Sequence, residues 1–234
     1  MNIQDAVVLV TGANRGLGLA FAKEALARGA RKVYAGARDP DSVTLPGVIP
    51  VRLDVTKPDE VAAAASQLGD VSLLINNAGI GELGSLLHPD AIDALQRHMN
   101  TNVVGVLRMA QAFTPVLAAQ GGGAMINVLS IVSWFNSGFL PTYAISKSAA
   151  WSLTNGLRNE LRAQGTQVLG LHMGFVDTDL VRDIQAPKTP PELIVTRTLD
   201  ALAAGRSEVL GDDVARQIKQ GLSADDAFYL QPPA

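Results

Sequence analysis

Three polar side chains in the second half of the chain have the types and spacing needed for proton transfer. Tyr143 and Lys147 occupy positions i and i+4 in T-Y-A-I-S-K-S-A, and Ser130 ends the apolar run A-M-I-N-V-L-S. If the first segment is helical, the phenol and the ammonium lie on one face, with β-carbons about 5–6 Å apart. A tyrosine titrates near pH ~10, and a nearby cation lowers that pKa. We therefore expect Tyr143 to exchange a proton with a carbonyl or alcohol oxygen, Lys147 to lower the tyrosine pKa, and Ser130 to hold the reacting oxygen.

The tyrosine–lysine spacing alone is not specific, because a packed tyrosine followed by a solvated lysine gives the same pattern. The composition of the chain therefore matters for its interpretation. The chain has 234 residues, 47% hydrophobic and 18% charged, which fits one large α/β domain. The net charge of −3 gives no electrostatic footprint for nucleic acid or an anionic membrane. There is no cysteine, and the three histidines lack metal-ligand spacing, so no metal is expected. The N-terminal apolar run is too short to cross a bilayer, which predicts a soluble cytoplasmic protein.

Short apolar runs alternate with longer amphipathic segments, which is typical of βαβ units forming a parallel sheet covered on both faces. We predict seven strands, at 6–11, 32–37, 49–53, 72–76, 124–129, 167–173 and 207–210, and seven helices, at 16–28, 58–68, 89–99, 103–119, 143–163, 191–204 and 212–221. No linker, charge block or repeat divides residues 1–234, so one domain is expected. The proline-bearing segment at about 178–191 is predicted to be a short lid over the site.

A glycine-rich turn follows the first predicted strand and opens the first predicted helix. Gly12, Gly16 and Gly18 in V-T-G-A-N-R-G-L-G would let the backbone approach a pyrophosphate, whose charge is favoured at the helix N-terminus. The spacing is G-x-x-x-G-x-G rather than G-x-G-x-x-G, and a purely structural turn is the alternative. Its place in the first βαβ unit favours a dinucleotide site.

The end of the second strand indicates which dinucleotide is bound. An acidic residue there would bond the ribose 2′-hydroxyl of NAD, whereas a basic residue accommodates the 2′-phosphate of NADP. The strand runs into Arg38, and Arg15 lies in the glycine turn, so we predict NADP(H) in preference to NAD(H). Asp39 follows Arg38, and a surface salt bridge between these two residues is the alternative interpretation.

Taken together and in this order, the motifs resemble those of the short-chain dehydrogenase/reductase family over nearly the whole chain. The matching elements are T-G-x-x-x-G-x-G at 11–18, Asp54-Val55, N-N-A-G at 76–79, N-x-x-G from Asn102, and Ser130, Tyr143 and Lys147. The resemblance implies a single-domain Rossmann fold, with a doubly wound, seven-stranded parallel sheet and helices on both faces. It also implies an NADP-preferring, carbonyl reductase-like oxidoreductase.

The resemblance further implies a role for each matching residue. Tyr143 would be the acid in reduction and the base in oxidation, while Lys147 would also hold the nicotinamide ribose. Ser130 would orient the carbonyl, and Asn102 would position a water that connects Lys147 to solvent; an asparagine that merely bends its helix is the alternative. The cofactor contacts implied are Gly12, Asn14, Arg15, Gly16, Leu17, Gly18, Arg38, Asp54, Val55, Asn77, Ala78, Gly79, Tyr143, Lys147, Gly174, Val176 and Thr178.

Two positions depart from the family pattern. Leu129 stands before Ser130, where the family often has a second serine. Met173 stands before Gly174, where the family usually has proline, so the turn under the nicotinamide loses one φ restraint. The serine at the catalytic spacing is retained, and activity is still expected.

The substrate is the part that the residues define least. The candidate pocket walls are all apolar: Ile131, Trp134, Phe135, Phe139, Leu140, Phe175 and Leu180. They predict an apolar ketone or aldehyde, or the corresponding alcohol, although core packing is an equal alternative for them. No Arg or Lys cluster marks a phosphorylated or CoA-linked substrate.

Two other functions compete with carbonyl reduction. Sugar-nucleotide epimerases and dehydratases use a related tyrosine–lysine pair but resemble longer chains with a C-terminal substrate domain. Relatives that act as catalytically silent, dinucleotide-sensing regulators tend to lack the pair or the serine, which this chain keeps. The family's pairing of helices between subunits implies a homodimer or homotetramer.

Overall fold

The computed structural model describes residues 1–136, 138–182 and 184–230, and of Leu180 only the backbone. Within these residues seven strands form one sheet: β1 Val7–Thr11, β2 Lys32–Ala37, β3 Ile49–Arg52, β4 Leu73–Asn76, β5 Ala124–Val128, β6 Gln167–His172 and β7 Glu208–Leu210. The α-helices are α1 Gly16–Ala27, α2 Pro58–Gln67, α3 Ala91–Met99, α4 Gly105–Ala119, α5 Pro141–Glu160, α6 Pro191–Ala203 and α7 Asp213–Gly221. Each predicted strand and helix is present, with small shifts at the ends.

The sheet is parallel throughout, in the order β3-β2-β1-β4-β5-β6-β7. Successive side chains of a strand point to opposite faces. Accordingly, Val8 and Val10 of β1 pack in a core shared with α1 and α6, whereas Val7 and Leu9 pack in a core shared with α2, α4 and α5. All four are fully buried, and burying a side chain of this size stabilises the fold by roughly 1.5–3 kcal/mol. The predicted doubly wound Rossmann fold is confirmed.

The strand order reverses at β1, which lies between β2 and β4. In open α/β sheets, ligands bind outside the carboxyl ends of the strands at such a switch point. The glycine turn follows β1, the N-N-A-G segment spans the end of β4, and Ser130 follows β5. The topology therefore gathers the motifs of the sequence at one edge of the sheet.

The segment Ala91–Ala119 is one continuous helical element, in which the π-helix Asn100–Val104 joins α3 to α4. By length and a mean hydropathy of 1.2 alone it would be long and apolar enough to cross a membrane. In the fold, however, Met109, Phe113 and Leu117 are fully buried in the core beneath the sheet. The apolar character of α4 is therefore that of a core helix.

Candidate active site

The glycine turn between β1 and α1 has a backbone that excludes side chains. Gly12 and Gly16 have φ values of +66° and +54°, a region that other residues rarely adopt. A β-carbon on Gly18 would lie 2.1 Å from the Gly12 carbonyl oxygen. The residue before α1, Arg15, makes no side-chain cap, so the first N–H groups of the helix are available to an anion.

Hydrogen bonds tie this turn to the end of β4. Thr11 Oγ1 accepts from the backbone N–H groups of Asn77 and Ala78 at 3.0 and 2.9 Å. Asn77 Nδ2 donates to the carbonyl oxygens of Thr11 and Gly12 at 2.9 and 3.2 Å. From the segment after β6, Thr178 lies 3.4 Å from where a β-carbon on Gly16 would stand. Three of the predicted cofactor segments thus border one cleft.

The other predicted contacts in this region differ in exposure. The Leu17 side chain is part of the core, so only its backbone is left for a ligand. Val55 is buried as well, and its side chain lies 2.8 Å from where a β-carbon on Gly105 would be. Asn14 is half-buried on the turn, and Arg15 is exposed. The Arg15 guanidinium stands 3.9 Å from the Asp179 carboxylate, a surface pair of little energetic weight.

Arg38 and Asp54 lie near each other at the carboxyl ends of β2 and β3. Burial alone would raise the pKa of Asp54, but hydrogen bonds from Thr56, assisted by the Arg38 charge, hold it below its usual value. Arg38 itself is exposed. No ion pair joins Arg38 to Asp39 among the described residues; the Asp39 carboxylate instead accepts from the Asp41 N–H at 3.2 Å. The Arg38 guanidinium is therefore accessible to a ligand.

Ser130, Tyr143 and Lys147 come together beyond the carboxyl end of β5. The Ser130 hydroxyl lies close enough to the Tyr143 hydroxyl to lower the phenol's pKa through hydrogen bonding. Lys147 is buried, and its Nζ donates to the Val128 carbonyl at 2.8 Å and lies 5.6 Å from the centre of the Tyr143 ring. Helix α5 carries both residues and begins at Pro141, where a proline is well tolerated because that N–H has no helical partner.

The prediction that Lys147 lowers the tyrosine pKa is wrong for this arrangement. Burial raises the pKa of Tyr143 from 10.0 to about 12, and the hydrogen bond with Ser130 offsets only part of that rise. Burial also lowers the pKa of Lys147 from 10.5 to about 8. Burial therefore dominates the pKa of the phenol, and Lys147, whose Nζ donates to the Val128 carbonyl, is not among the groups that lower it. Tyr143 is consequently protonated at neutral pH.

Asn102 lies in the π-helix, a type of bulge that is frequent at functional sites. Its side chain is buried, with Oδ1 accepting from the Ile80 N–H and Nδ2 donating to the Ile80 carbonyl, both at 2.9 Å. Nδ2 also donates to Ser146 Oγ at 2.9 Å. A β-carbon on Gly79 would lie 3.2 Å from Asn102 Oδ1 and 3.9 Å from Lys147 Nζ, so these two side chains border the same small space.

The turn after β6 is restrained by a residue that the sequence interpretation missed. Asp212 is buried, and its Oδ2 accepts from the Gly174 N–H at 2.7 Å, while Oδ1 accepts from the Ala215 N–H at 2.8 Å and caps α7. This carboxylate supplies a restraint where Met173 lacks the φ restriction of proline. Val176 is buried, and its bridge to Thr189 closes the segment onto the chain entering α6. The Asp-plus-helix pattern at 212 is the capping signal that could have identified it.

Six of the seven predicted substrate walls have described side chains, and none of the six belongs to the fully buried core. Phe139 and Phe175 are 64% and 36% exposed, and Ile131, Trp134, Phe135 and Leu140 are half-buried. The loop around Phe139 meets the loop after β4, where the Gly84 N–H donates to the Phe139 carbonyl at 3.3 Å. A cavity of about 410 Å³ between them is lined by Ser85, Leu86, Leu87, Asn136, Gly138 and Pro141. The Leu180 side chain is outside the described structure.

Two buried histidines border the cluster, although their spacing in the sequence gave no signal for them. His98 Nε2 accepts from the Glu82 N–H at 3.1 Å, and its ring lies edge-on to Tyr143 with centroids 6.1 Å apart. His172 Nδ1 is 3.0 Å from the Ser130 carbonyl oxygen. Among the described residues, no group of three potential metal ligands occurs.

Comparison with known proteins identifies the family. Residues 6–189 match the short chain dehydrogenase family. The chain is 31% identical to 1-deoxy-11-beta-hydroxypentalenate dehydrogenase of Streptomyces exfoliatus, over 98% of this chain and 84% of that protein. It is 29% identical to a 3-oxoacyl-acyl-carrier-protein reductase of Vibrio cholerae, over 100% and 93% of the two chains.

Solved structures agree with the sequence match. A short chain dehydrogenase from Burkholderia cenocepacia in complex with NADP superimposes with a TM-score of 0.94, at 39% identity over 99% of this chain and 100% of the other. One from Burkholderia phymatum in complex with NAD gives a TM-score of 0.86, at 26% identity over 100% and 98% of the two chains. The chain belongs to the short-chain dehydrogenase/reductase family of oxidoreductases.

Proposed function

We propose that the protein is an NADPH-dependent oxidoreductase that reduces a ketone or aldehyde to an alcohol, reversibly, with Tyr143 as the proton donor. The observation that carries the proposal is the proximity of the Ser130 and Tyr143 hydroxyls, beside the buried Lys147 at the carboxyl edge of the sheet. The three groups lie next to the same cleft as the glycine turn. Two hydroxyls so close to each other can both approach one carbonyl oxygen.

The residues of the cleft fit a dinucleotide. Gly18 allows no β-carbon, and the uncapped start of α1 suits a pyrophosphate. When bound, the dinucleotide supplies or accepts the hydride. Gly174, Val176 and Thr178, in the turn held by Asp212, would support the nicotinamide end.

In the proposed reaction, the protein orients the carbonyl and delivers a proton. Ser130 would donate a hydrogen bond to the substrate oxygen, and Tyr143 would protonate that oxygen as the hydride reaches carbon. A phenol pKa of about 12 keeps Tyr143 protonated, which suits the reductive direction. Lys147, with its pKa lowered to about 8, would restore the proton, and Asn102 would hold the water that connects Lys147 to solvent.

Arg38 supports NADP(H) over NAD(H), because an accessible guanidinium at the end of β2 can pair with a 2′-phosphate. A similar fold bound to NADP and another bound to NAD show that both dinucleotides occur among the relatives. The exposed Phe139 and Phe175 support an apolar substrate, with 178–191 as a lid. We also propose that the protein is cytoplasmic and forms a homodimer or homotetramer. Sedimentation would determine the number of subunits.

The experiment is to mix the purified protein with NADPH or NADH and a panel of apolar ketones, aldehydes and diketones, and to follow the nicotinamide absorbance. We expect NADPH oxidation with at least one apolar carbonyl compound and slower oxidation of NADH. Tight NADPH binding without oxidation across the panel would instead favour the dinucleotide-sensing regulator.

A further inference from the structure

His172, the last residue of β6, lies directly beside Ser130. It is fully buried, and its Nδ1 stands 3.0 Å from the Ser130 carbonyl oxygen. A carbonyl oxygen can only accept a hydrogen bond, so Nδ1 must carry the proton. The two neighbours of Ser130 are also held by this edge of the sheet, since the Leu129 and Ile131 N–H groups donate to the carbonyls of Leu171 and Met173 at 2.8 and 3.0 Å.

Two tryptophan rings pack against the imidazole. Trp134, in the turn that follows Ser130, stacks on it with centroids 4.1 Å apart and an interplanar angle of 19°. Trp151 of α5 meets it edge-on at 6.3 Å. The ring therefore has little freedom to turn away from the Ser130 carbonyl.

The second ring nitrogen, Nε2, has no hydrogen-bond partner among the described residues. Glu208 Oε1 of β7 lies 3.7 Å away, but that carboxylate is paired with Lys219 of α7. Burial lowers the pKa of His172 from 6.5 to about 4. The hydrogen bond to the Ser130 carbonyl raises this pKa, whereas the charges of Lys219, Lys147 and Arg158 lower it further. The ring is thus neutral at physiological pH, with Nε2 unprotonated.

We propose that His172 is a positioning residue of this active site: as the Nδ1–H imidazole it holds the Ser130 carbonyl, and thereby sets the direction in which the Ser130 hydroxyl meets Tyr143. The Ser130 carbonyl also accepts from the Ser133 N–H at 3.1 Å, and the Ile131 N–H of the same peptide group donates to Met173. The imidazole adds the one side-chain hydrogen bond to this peptide group among the described residues, so its loss leaves backbone bonds alone to orient the hydroxyl. The kinetic part of the test rests on the proposed function, whereas the spectroscopic part does not.

The first measurement is nitrogen-15 NMR of the histidine rings in the intact protein near neutral pH, with His172→Asn used to assign the His172 signals among the three histidines. We expect a protonated Nδ1 and an unprotonated Nε2 for His172. An Nε2–H tautomer, or a doubly protonated ring at neutral pH, would overturn the proposal whether or not the protein reduces carbonyls.

The second measurement compares variants on a carbonyl compound that the protein reduces. His172→Leu removes the donor, and because misplacement of a reacting group by about 1 Å can cost ~100-fold, we expect kcat to fall about 10–100-fold with NADPH affinity within about twofold. His172→Asn returns an N–H close to the Nδ1 position and should recover kcat to within about threefold of the original protein.

Leu169→Ala is the matched control, because Leu169 is fully buried on the same strand but belongs to the core. It should lower thermal stability and leave kcat within about twofold, since strand packing alone does not touch Ser130. Equal loss of kcat in His172→Leu and Leu169→Ala, or no recovery with His172→Asn, would show that His172 acts only through stability.

Discussion

Gly18→Ala tests the geometry of the glycine turn. The new β-carbon would stand 2.1 Å from the Gly12 carbonyl oxygen and 2.5 Å from Asn77 Nδ2. Neither neighbour can move cheaply, because Gly12 has a φ of +66° and Asn77 Nδ2 donates to the carbonyls of Thr11 and Gly12. Overpacking typically costs ~1–3 kcal/mol, and a disrupted hydrogen bond adds about 1 kcal/mol. We expect a loss of about 3 kcal/mol in the free energy of unfolding.

Urea unfolding of Gly18→Ala and a titration with NADPH provide the assay. Because the turn that would hold the pyrophosphate must shift, we expect NADPH affinity to fall at least about tenfold, or about 1.4 kcal/mol. Gly69→Ala is the control: a β-carbon there meets nothing within 4 Å, and such a change stabilises by up to about 1 kcal/mol. Unchanged stability and NADPH affinity in Gly18→Ala would refute the reasoning.

Three further predictions concern other parts of the site. Arg38→Asp should weaken NADPH binding about 10–100-fold and leave NADH binding nearly unchanged, because charged hydrogen bonds contribute ~1.5–3 kcal/mol. Titrations with both dinucleotides check this, with Arg31→Asp at the other end of β2 as the control. Equal weakening of NADPH and NADH binding would contradict the prediction. Asp212→Ala should cost about 2 kcal/mol in urea unfolding and weaken NADPH binding, since a helix cap and a buried partner are lost; unchanged NADPH affinity would show that the Gly174 turn does not need this carboxylate. The His172 side chain takes up a proton near pH 6.5 in the unfolded chain but only near pH 4 in the folded chain, so the free energy of unfolding should fall by about 3 kcal/mol as pH drops across that window. His172→Asn should remove most of this fall. An identical pH profile of stability in the original protein and in His172→Asn would contradict the prediction.

Much of the fold follows from local patterns in the sequence. Apolar runs such as Val7–Thr11 identified the strands, and the glycines that follow α1 and α5 marked their ends, because Gly29 and Gly165 adopt positive φ values. The motif residues could be assigned to one edge of the sheet because parallel strands end there together. These signals are short-range, so a single sequence contains them.

The properties that were missed depend on contacts between distant segments. The raised pKa of Tyr143 depends on how deeply α5 is buried, which the spacing to Lys147 does not report. His172 and Asp212 act on Ser130 and Gly174 through pairings of β6 with β5 and of α7 with the turn after β6. In the sequence they appear as an isolated histidine and as the first residue of a predicted helix.

The most direct test of the proposed chemistry is Tyr143→Phe, with turnover and NADPH affinity measured on the carbonyl compound that the panel identifies. General acid catalysis contributes typically ~10²–10⁴-fold, so kcat should fall at least about 100-fold while NADPH affinity stays within about twofold. Tyr34→Phe is the control. Tyr34 lies in β2 and its hydroxyl donates to Asp70, away from Ser130, so its loss should leave kcat nearly unchanged. If Tyr143→Phe keeps more than about a tenth of the original turnover, Tyr143 is not the proton donor.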